Sequence, residues 1–406
     1  MMKKKLLLLL AGVLTLTLTG CGNPKETTAP DQTDTMINME SSDTTNDSTK
    51  ESQVKEPEIT EELRLQDLFA EHNMKVGTCL TTQMIKDKKQ SDLILSQFNS
   101  VTMENDMKPD YLFSRPKSLE AGELVVDFKP NMITLLDWAK ENNMAVRGHT
   151  LVWYSQTPEW IFHEEFDPKK AYVGREEMLK RMESYIRQIF EKLKEGGYTD
   201  IIYAYDVVNE AWMEDGSIRK NNWTTTIGDD YLWYAFYFAD KYAPEHIDLY
   251  YNDYNEQFKE DTLVQFVKTL VDENGRSLID GIGLQGHLYT MDSLSEYFDA
   301  IDKLAATGLK LQVTELDVSL GAWQNTLPGT EENLKIQGKF YYDLLNGLFE
   351  RADNGTINTD ALTFWGFADH LSWRGNAKPL LYDSSFKPKY AYYGAMQKKE
   401  LAGFDE

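Results

Sequence analysis

Two short apolar, β-prone runs of this 406-residue chain close on a glutamate: Tyr203-Ala204-Tyr205-Asp206-Val207-Val208-Asn209-Glu210 and Leu311-Gln312-Val313-Thr314-Glu315-Leu316-Asp317. A carboxylate at the C-terminal end of a buried strand serves no packing purpose, because removing it from water costs several kcal/mol unless it is compensated. Each glutamate taken singly reads as a salt-bridged or capping residue. Together, two carboxyl groups facing one another are what acid–base cleavage of a glycosidic bond requires. They are too far apart in sequence to share a local element, so only a closed or strongly curved fold can bring Glu210 and Glu315 together.

The elements that must position them alternate along the chain. Strand-like segments fall at 75–79, 98–103, 144–150, 202–208, 247–251, 282–285, 311–314 and 361–367. Helix-like segments lie between them at 82–95, 132–142, 175–194, 230–242, 262–273, 294–307 and 331–351. In 132–142 the apolar residues Met132, Leu135, Leu136 and Ala139 follow a 3.6-residue period, and in 175–194 Met178, Met182, Tyr185, Ile186 and Ile189 do the same. Eight strand–helix repeats predict an α/β fold of the (β/α)8 TIM-barrel class over an open doubly wound sheet. Gly281-x-Gly283-x-x-Gly286 matches a dinucleotide-binding letter pattern but overlaps the sixth strand instead of following it, so these glycines read as close-packing positions.

In a barrel the C-terminal strand ends share one face. Strand two delivers Glu104, Asn105 and, a turn later, Lys108. Strand three delivers His149, with Trp153 and Gln156 beyond it; strand four Asn209 and Glu210; strand five Asn252, Tyr254 and Asn255. Strand six adds Gln285 and His287, strand seven Glu315 and Asp317, and strand eight Trp365, with Trp373 on its loop. Carboxamides and imidazoles match the paired donors and acceptors of sugar hydroxyls, and indoles stack on the apolar faces of pyranose rings. Trp138, Trp160 and Trp233 read equally well as core. No HxH, HExxH or cysteine cluster is present, so neither a catalytic metal nor a cofactor is expected.

These segments resemble glycoside hydrolase family ten, the endo-β-1,4-xylanases. The resemblance is carried by Phe98-Asn99-Ser100-Val101-Thr102-Met103-Glu104-Asn105-Asp106-Met107-Lys108, Arg147-Gly148-His149-Thr150-Leu151-Val152-Trp153, Asp206-Val207-Val208-Asn209-Glu210, Asn252-Asp253-Tyr254-Asn255, Gly283-Leu284-Gln285-Gly286-His287, Thr314-Glu315-Leu316-Asp317 and Trp365-Gly366. It implies a retaining endo-xylanase acting on xylan and xylo-oligosaccharides, with Glu210 as acid/base and Glu315 as nucleophile. It also implies that Glu104, Asn105, Lys108, His149, Trp153, Gln156 and Trp365 line the glycone subsites, and that Asn209, Gln285 and His287 support the reaction centre. Tyr254 and Trp373 are assigned to substrate binding, and Asp317 to support behind the site. A retaining pair is expected to stand about 5–5.5 Å apart. Two departures are visible. Tyr205 stands where the family usually has Trp, a ring-for-ring change expected to be tolerated in the barrel layers. Tyr154 stands where it usually has His, a change expected to alter supporting hydrogen bonds near Glu210 or the nearby subsites.

The N-terminus reads as separate from the fold. A basic stretch at 1–5 and an apolar run at 6–18 lead into Leu18-Thr19-Gly20-Cys21, which resembles a bacterial lipoprotein signal (1–20) with Cys21 as the lipidation site. Residues 21–61, rich in Thr, Ser, Asp, Asn, Glu and Pro, read as a disordered tether, and 62–406 as the catalytic domain. With Cys21 lipidated, Cys79 has no intrachain disulfide partner. The expected location is the extracellular face of the bacterial envelope, lipid-anchored to the membrane, and the chain is expected to act as a monomer. A formal charge of −24 argues against a nucleic-acid partner and leaves the anchor, not charge, to hold the protein at an anionic surface. Two rivals remain open from the residues: the same barrel acting on β-1,4-glucan, and a tethered oligosaccharide-binding protein, which would need the aromatics but not two opposed glutamates.

Overall fold

A computed structural model describes residues 63–404; the signal-like segment, the polar tether and Cys21 lie outside them. Among the described residues eight parallel strands follow in order: β1 (Lys75–Leu80), β2 (Ser100–Met103), β3 (Ala145–Trp153), β4 (Ile202–Asn209), β5 (Asp248–Asp253), β6 (Gly281–Leu284), β7 (Lys310–Ser319) and β8 (Ala361–Phe364). Each pairs with the next. The seam closes through β8, whose Ala361 faces Lys75 of β1 while its Phe364 faces Leu316 of β7. The long helices that return the chain are α1 (Lys88–Gln97), α2 (Pro130–Glu141), α3 (Arg175–Glu195), α4 (Tyr231–Tyr242), α5 (Glu260–Val267), α6 (Leu294–Ala305), α7 (Glu331–Asp353) and α8 (Tyr390–Ala395). The architecture is the closed (β/α)8 barrel that the alternation of elements predicts.

Helix α3 shows how sequence makes these elements. Glu176 and Glu177 complement its N-terminal dipole and Lys192 and Lys194 its C-terminal one, while Met178, Met182, Tyr185, Ile186, Ile189, Phe190 and Leu193 are buried. Four expected elements differ. The helix expected over 82–95 breaks at Asp87, because that side chain accepts the Gln90 amide and starts α1 afresh. The helix expected to run to 273 ends at Val267, since Asp272 takes the amides of Asn274 and Arg276 into a turn instead. Strand β3 runs on to Trp153. Strand β7 continues to Ser319 because a short strand, His287–Tyr289, pairs with its distal half. Glu315 and Asp317 therefore lie inside a strand, not at its end.

Tyr205 does not point into the barrel. Its ring packs edge-on against Phe190 of α3 at 5.6 Å, and a Cβ on Gly148 would come within 2.4 Å of it. The Trp-to-Tyr departure thus affects the strand–helix layer. Gly281 and Gly283 are close-packing positions: a Cβ there would meet the Tyr250 ring at 2.2 Å and Asn252 Oδ1 at 2.3 Å.

The barrel interior holds a charge. Arg147 is fully buried, bonds Asp206 and Gln312, and lies 4.4 Å from the Tyr250 ring centre. Asp206, equally buried, passes its second oxygen to His149 Nδ1 at 2.9 Å. Removing one member of a buried pair strands the other, at about 3–5 kcal/mol. Arg147→Met is therefore expected to lower unfolding free energy in urea by about that amount; a loss below about 1 kcal/mol would show that Asp206 is satisfied without it.

Candidate active site

Glu210 follows the last residue of β4 in a left-handed backbone conformation (φ 56°), and its amide is held by Asn252 O at 2.9 Å. Its carboxyl accepts from Gln285 Nε2 at 3.0 Å and from Asn209 Nδ2 at 3.2 Å. Glu315 lies across the barrel mouth on β7 and accepts from Asn252 Nδ2 at 2.9 Å. Three carboxamides join the two acids. Asn209 Oδ1 accepts from both Asn252 Nδ2 (2.9 Å) and Gln285 Nε2 (3.3 Å), and Thr314 Oγ1 donates to Asn252 Oδ1 at 2.6 Å. Asn252 completes this bridge although the resemblance assigned it no role. Its place at a strand end and in the Asn252–Asn255 segment were the signals in the sequence.

The two carboxyls are held in different states. Burial pushes Glu210 above the usual carboxylate range; the Gln285 hydrogen bond opposes this, and the charges of Asp253 and Glu315 add to it. Burial acts on Glu315 in the same direction but is outweighed by the His287 hydrogen bond and the charges of His149, His287 and Lys108, leaving it at about 2. His287 Nε2 stands 3.3 Å from Glu315 Oε2, and its Nδ1 3.1 Å from Asp317. Burial disfavours the imidazolium, yet Asp317 and Glu315 raise His287 to about 10. Asp317 is in turn held by Arg374 at 2.6 Å and the Trp373 indole N–H at 3.0 Å. The two carboxyls are thus shifted in opposite directions, Glu210 upward and Glu315 downward.

On the β2–β3–β8 side, Lys108 Nζ donates to Gln156 Oε1 (2.9 Å) and Asn105 Oδ1 (3.3 Å), and Gln156 Nε2 closes the triangle on Asn105 at 3.1 Å. The ammonium lies 5.1 Å from the Trp153 ring and 5.9 Å from Trp365, and His149 meets Trp365 edge-on at 5.6 Å. Burial lowers Lys108, while Glu315 and Glu104 oppose the shift. Burial raises Glu104 against the Lys108 charge. On the β4–β5 side, Tyr254 OH accepts from Arg219 at 2.9 Å. Tyr154 hydrogen-bonds Glu210, and burial and that carboxylate push its phenol up to about 12. Trp373 is 63 % exposed and forms a rim beside His287. Arg219 and Arg374 carried no sequence signal; only the folded loops bring them in. Among the described residues no group of three His, Cys, Asp or Glu side chains is placed to hold a metal ion.

The sequence profile of glycosyl hydrolase family 10 matches residues 64–398. The chain belongs to that family. It is 36% identical over 338 residues to endo-1,4-beta-xylanase B of Butyrivibrio fibrisolvens, covering 80% of this chain and 51% of that protein. It is also 36% identical over 316 residues to a putative endo-1,4-beta-xylanase of Caldicellulosiruptor saccharolyticus, covering 74% and 97%. The chain thus spans about half of the Butyrivibrio relative and 32% of a bifunctional xylanase of Ruminococcus flavefaciens. In structure it is similar to the CBM22–GH10 modules of a Clostridium thermocellum xylanase complexed with xylohexaose, at TM-score 0.75 and 30% identity over 85% of this chain and 69% of that one. An intracellular Thermoanaerobacterium saccharolyticum xylanase with xylotetraose aligns at TM-score 0.72 and 30% identity over 82% and 97%. The family 10 barrel is the frame on which the carboxyl pair is built.

The asymmetry of the pair is measurable. Carboxyl-carbon NMR titration is expected to find Glu315 ionised down to about pH 2 and Glu210 titrating above an ordinary glutamate. In Glu315→Gln the neighbouring negative charge is gone, so the Glu210 titration moves down. An upward or absent movement would refute charge coupling between the two carboxyls. Because Glu315 is depressed on folding, its stabilising contribution is present above the unfolded value of about 4.3 and is lost as pH falls toward about 2.

Proposed function

We propose that this chain is an endo-β-1,4-xylanase that cleaves internal bonds of xylan with retention at the anomeric carbon. The observation that carries the reading is the bridged pair: one carboxyl shifted upward by burial, the other lowered to about 2 by the His287 hydrogen bond and nearby charges, in a barrel of the xylanase family. In the first step Glu315 attacks the anomeric carbon as the glycosidic C–O bond breaks, and the Glu210 proton passes to the departing oxygen. In the second, Glu210 takes a proton from water, the water oxygen attacks the same carbon, and the ester to Glu315 breaks. Glu104, Asn105, Lys108, His149, Gln156 and the Trp153 and Trp365 rings hold the glycone, and Tyr254 and Trp373 contact the substrate on the rim. The protein is proposed to act as a monomer.

The roles separate by chemical rescue. Glu315→Ala removes the attacking atom, and activity on xylan is expected to be lost. Glu210→Ala removes proton donation, with an expected fall of about 10²–10⁴ on xylan and a much smaller effect on an aryl xylobioside whose phenolate leaves unaided. Azide is then expected to release the β-glycosyl azide from the Glu210 variant and the α-anomer from the Glu315 variant. The same anomer from both variants would overturn the assignment.

We also propose that the protein is lipid-anchored through Cys21 at the outer face of the bacterial membrane, a reading supported by the Leu18-Thr19-Gly20-Cys21 motif and the polar tether after it. Cys21→Ser is expected to move the enzyme from the membrane to the soluble fraction; continued membrane retention would defeat this.

A further inference from the structure

Strand β5 ends at Asp253, and Asn255, in the left-handed conformation that an asparagine tolerates (φ 53°), leads the chain into a single 3-10 turn, Glu256–Phe258. The turn buries its first side chain. Glu256 is 1 % exposed, and its Oε1 accepts the Gln285 amide at 2.9 Å. That amide also donates to Asp253 O at 2.8 Å, so it has a backbone partner without the glutamate. Burying a carboxyl costs more than one shared amide returns. Among the described residues no cation pairs with it: Lys259 is engaged by the fully buried Asp253 at 2.7 Å and by Trp212 O at 2.9 Å. From α6 comes the buried Tyr297, whose hydroxyl has no hydrogen-bond partner among the described residues, while Glu260 and Asp261 of α5 pair with Lys303 of α6. Burial pushes Glu256 up to about 8; the charge of Asp253 adds to the shift, and Lys259 and the hydrogen bonds from its own amide and that of Gln285 oppose it. At neutral pH the group is an uncharged acid.

Gln285 is where this carboxyl meets the chemistry. Its carbonyl accepts the Glu315 amide at 2.8 Å, and its side chain donates to Glu210 at 3.0 Å. One residue therefore touches both glutamates, and Glu256 is the side chain that grips its backbone. The Gln285 donation favours the ionised form of Glu210, against burial. Held by Asp253 O alone, the Gln285 peptide would be free to tilt, and its side-chain amide would tilt with it. We propose that Glu256 is a positioning residue for the acid/base: by fixing the Gln285 amide it sets how firmly Gln285 donates to Glu210, and with that how readily Glu210 releases its proton to the departing oxygen. This rests on the acid/base reading of Glu210 above and adds to it a buried carboxyl that acts only through Gln285.

Two variants separate the hydrogen bond from the bulk of the side chain. Glu256→Leu removes the acceptor, and Glu256→Gln keeps a neutral one. In Glu256→Leu the Glu210 carboxyl is expected to titrate about 0.5–1 pH unit higher than in the wild type, because burial is then less opposed. On xylan kcat/KM is expected to fall roughly 10-fold further than on an aryl xylobioside whose phenolate leaves without a proton. Glu256→Gln is expected to restore both readouts. An equal loss on the two substrates with the Glu210 titration unmoved would assign Glu256 to folding alone and overturn the inference. A Glu256→Gln variant no better than Glu256→Leu would overturn it as well. Should Glu256→Leu fail to fold, the wild type decides: the NMR signals of the Gln285 side-chain amide are expected to shift with an inflection at about pH 8 that Glu256→Gln abolishes, and the lack of that inflection would overturn the inference. A Glu210→Ala enzyme equally impaired on xylan and on the aryl xylobioside would count instead against the acid/base reading itself.

Discussion

Two carboxyl groups buried at one barrel mouth repel each other and both resist ionisation, and the structure depends on how that conflict is resolved. The resolution is a chain of amide hydrogen bonds. Gln285 and Asn209 donate to Glu210, Asn252 donates to Glu315, and the Asn209 carbonyl collects Asn252 and Gln285 between them. Amides stabilise without adding charge, so the bridge fixes the geometry while leaving protonation to be set by ions farther out. The ions are asymmetric. Imidazole and ammonium groups favour the ionised state of Glu315, whereas burial, with the charges of Asp253 and Glu315 adding to it, shifts Glu210 upward.

That asymmetry reaches deep into the fold. Glu315 is held by His287, His287 by Asp317, and Asp317 by Arg374 and the Trp373 indole from the loop after β8. On the other side His149 is held by Asp206, which is held by Arg147 at the centre of the barrel. Both imidazoles beside Glu315 are oriented by a fully buried aspartate that is itself paired with an arginine. Such relays cost desolvation, which the enclosed barrel interior offsets by setting each charge beside an opposite one.

The two halves of the cleft differ in chemistry. The β2–β3–β8 side is a closed polar triangle of Lys108, Asn105 and Gln156 under indole rings. The β4–β5 side is looser, built from tyrosines around one guanidinium.

The alternation of elements, the identity of the two glutamates and most of the residues around them were legible in the sequence, because strand periodicity and a barrel's shared C-terminal face place strand-end residues together without knowledge of any side-chain contact. Element ends were legible less well. Strand β7 runs on past Thr314 because of a pairing with His287–Tyr289, and α5 stops early because of a side-chain turn at Asp272. Tyr205 faces helix α3 instead of the barrel interior, a matter of strand facing that a motif alone does not reveal. What only the tertiary structure decided is the protonation of the pair, the amide bridge through Asn252 and the arrival of Arg219 and Arg374 at the mouth. Burial and charge–charge distances are properties of residues remote in sequence, and a loop arginine acquires a partner, or is left without one, only when the chain has closed.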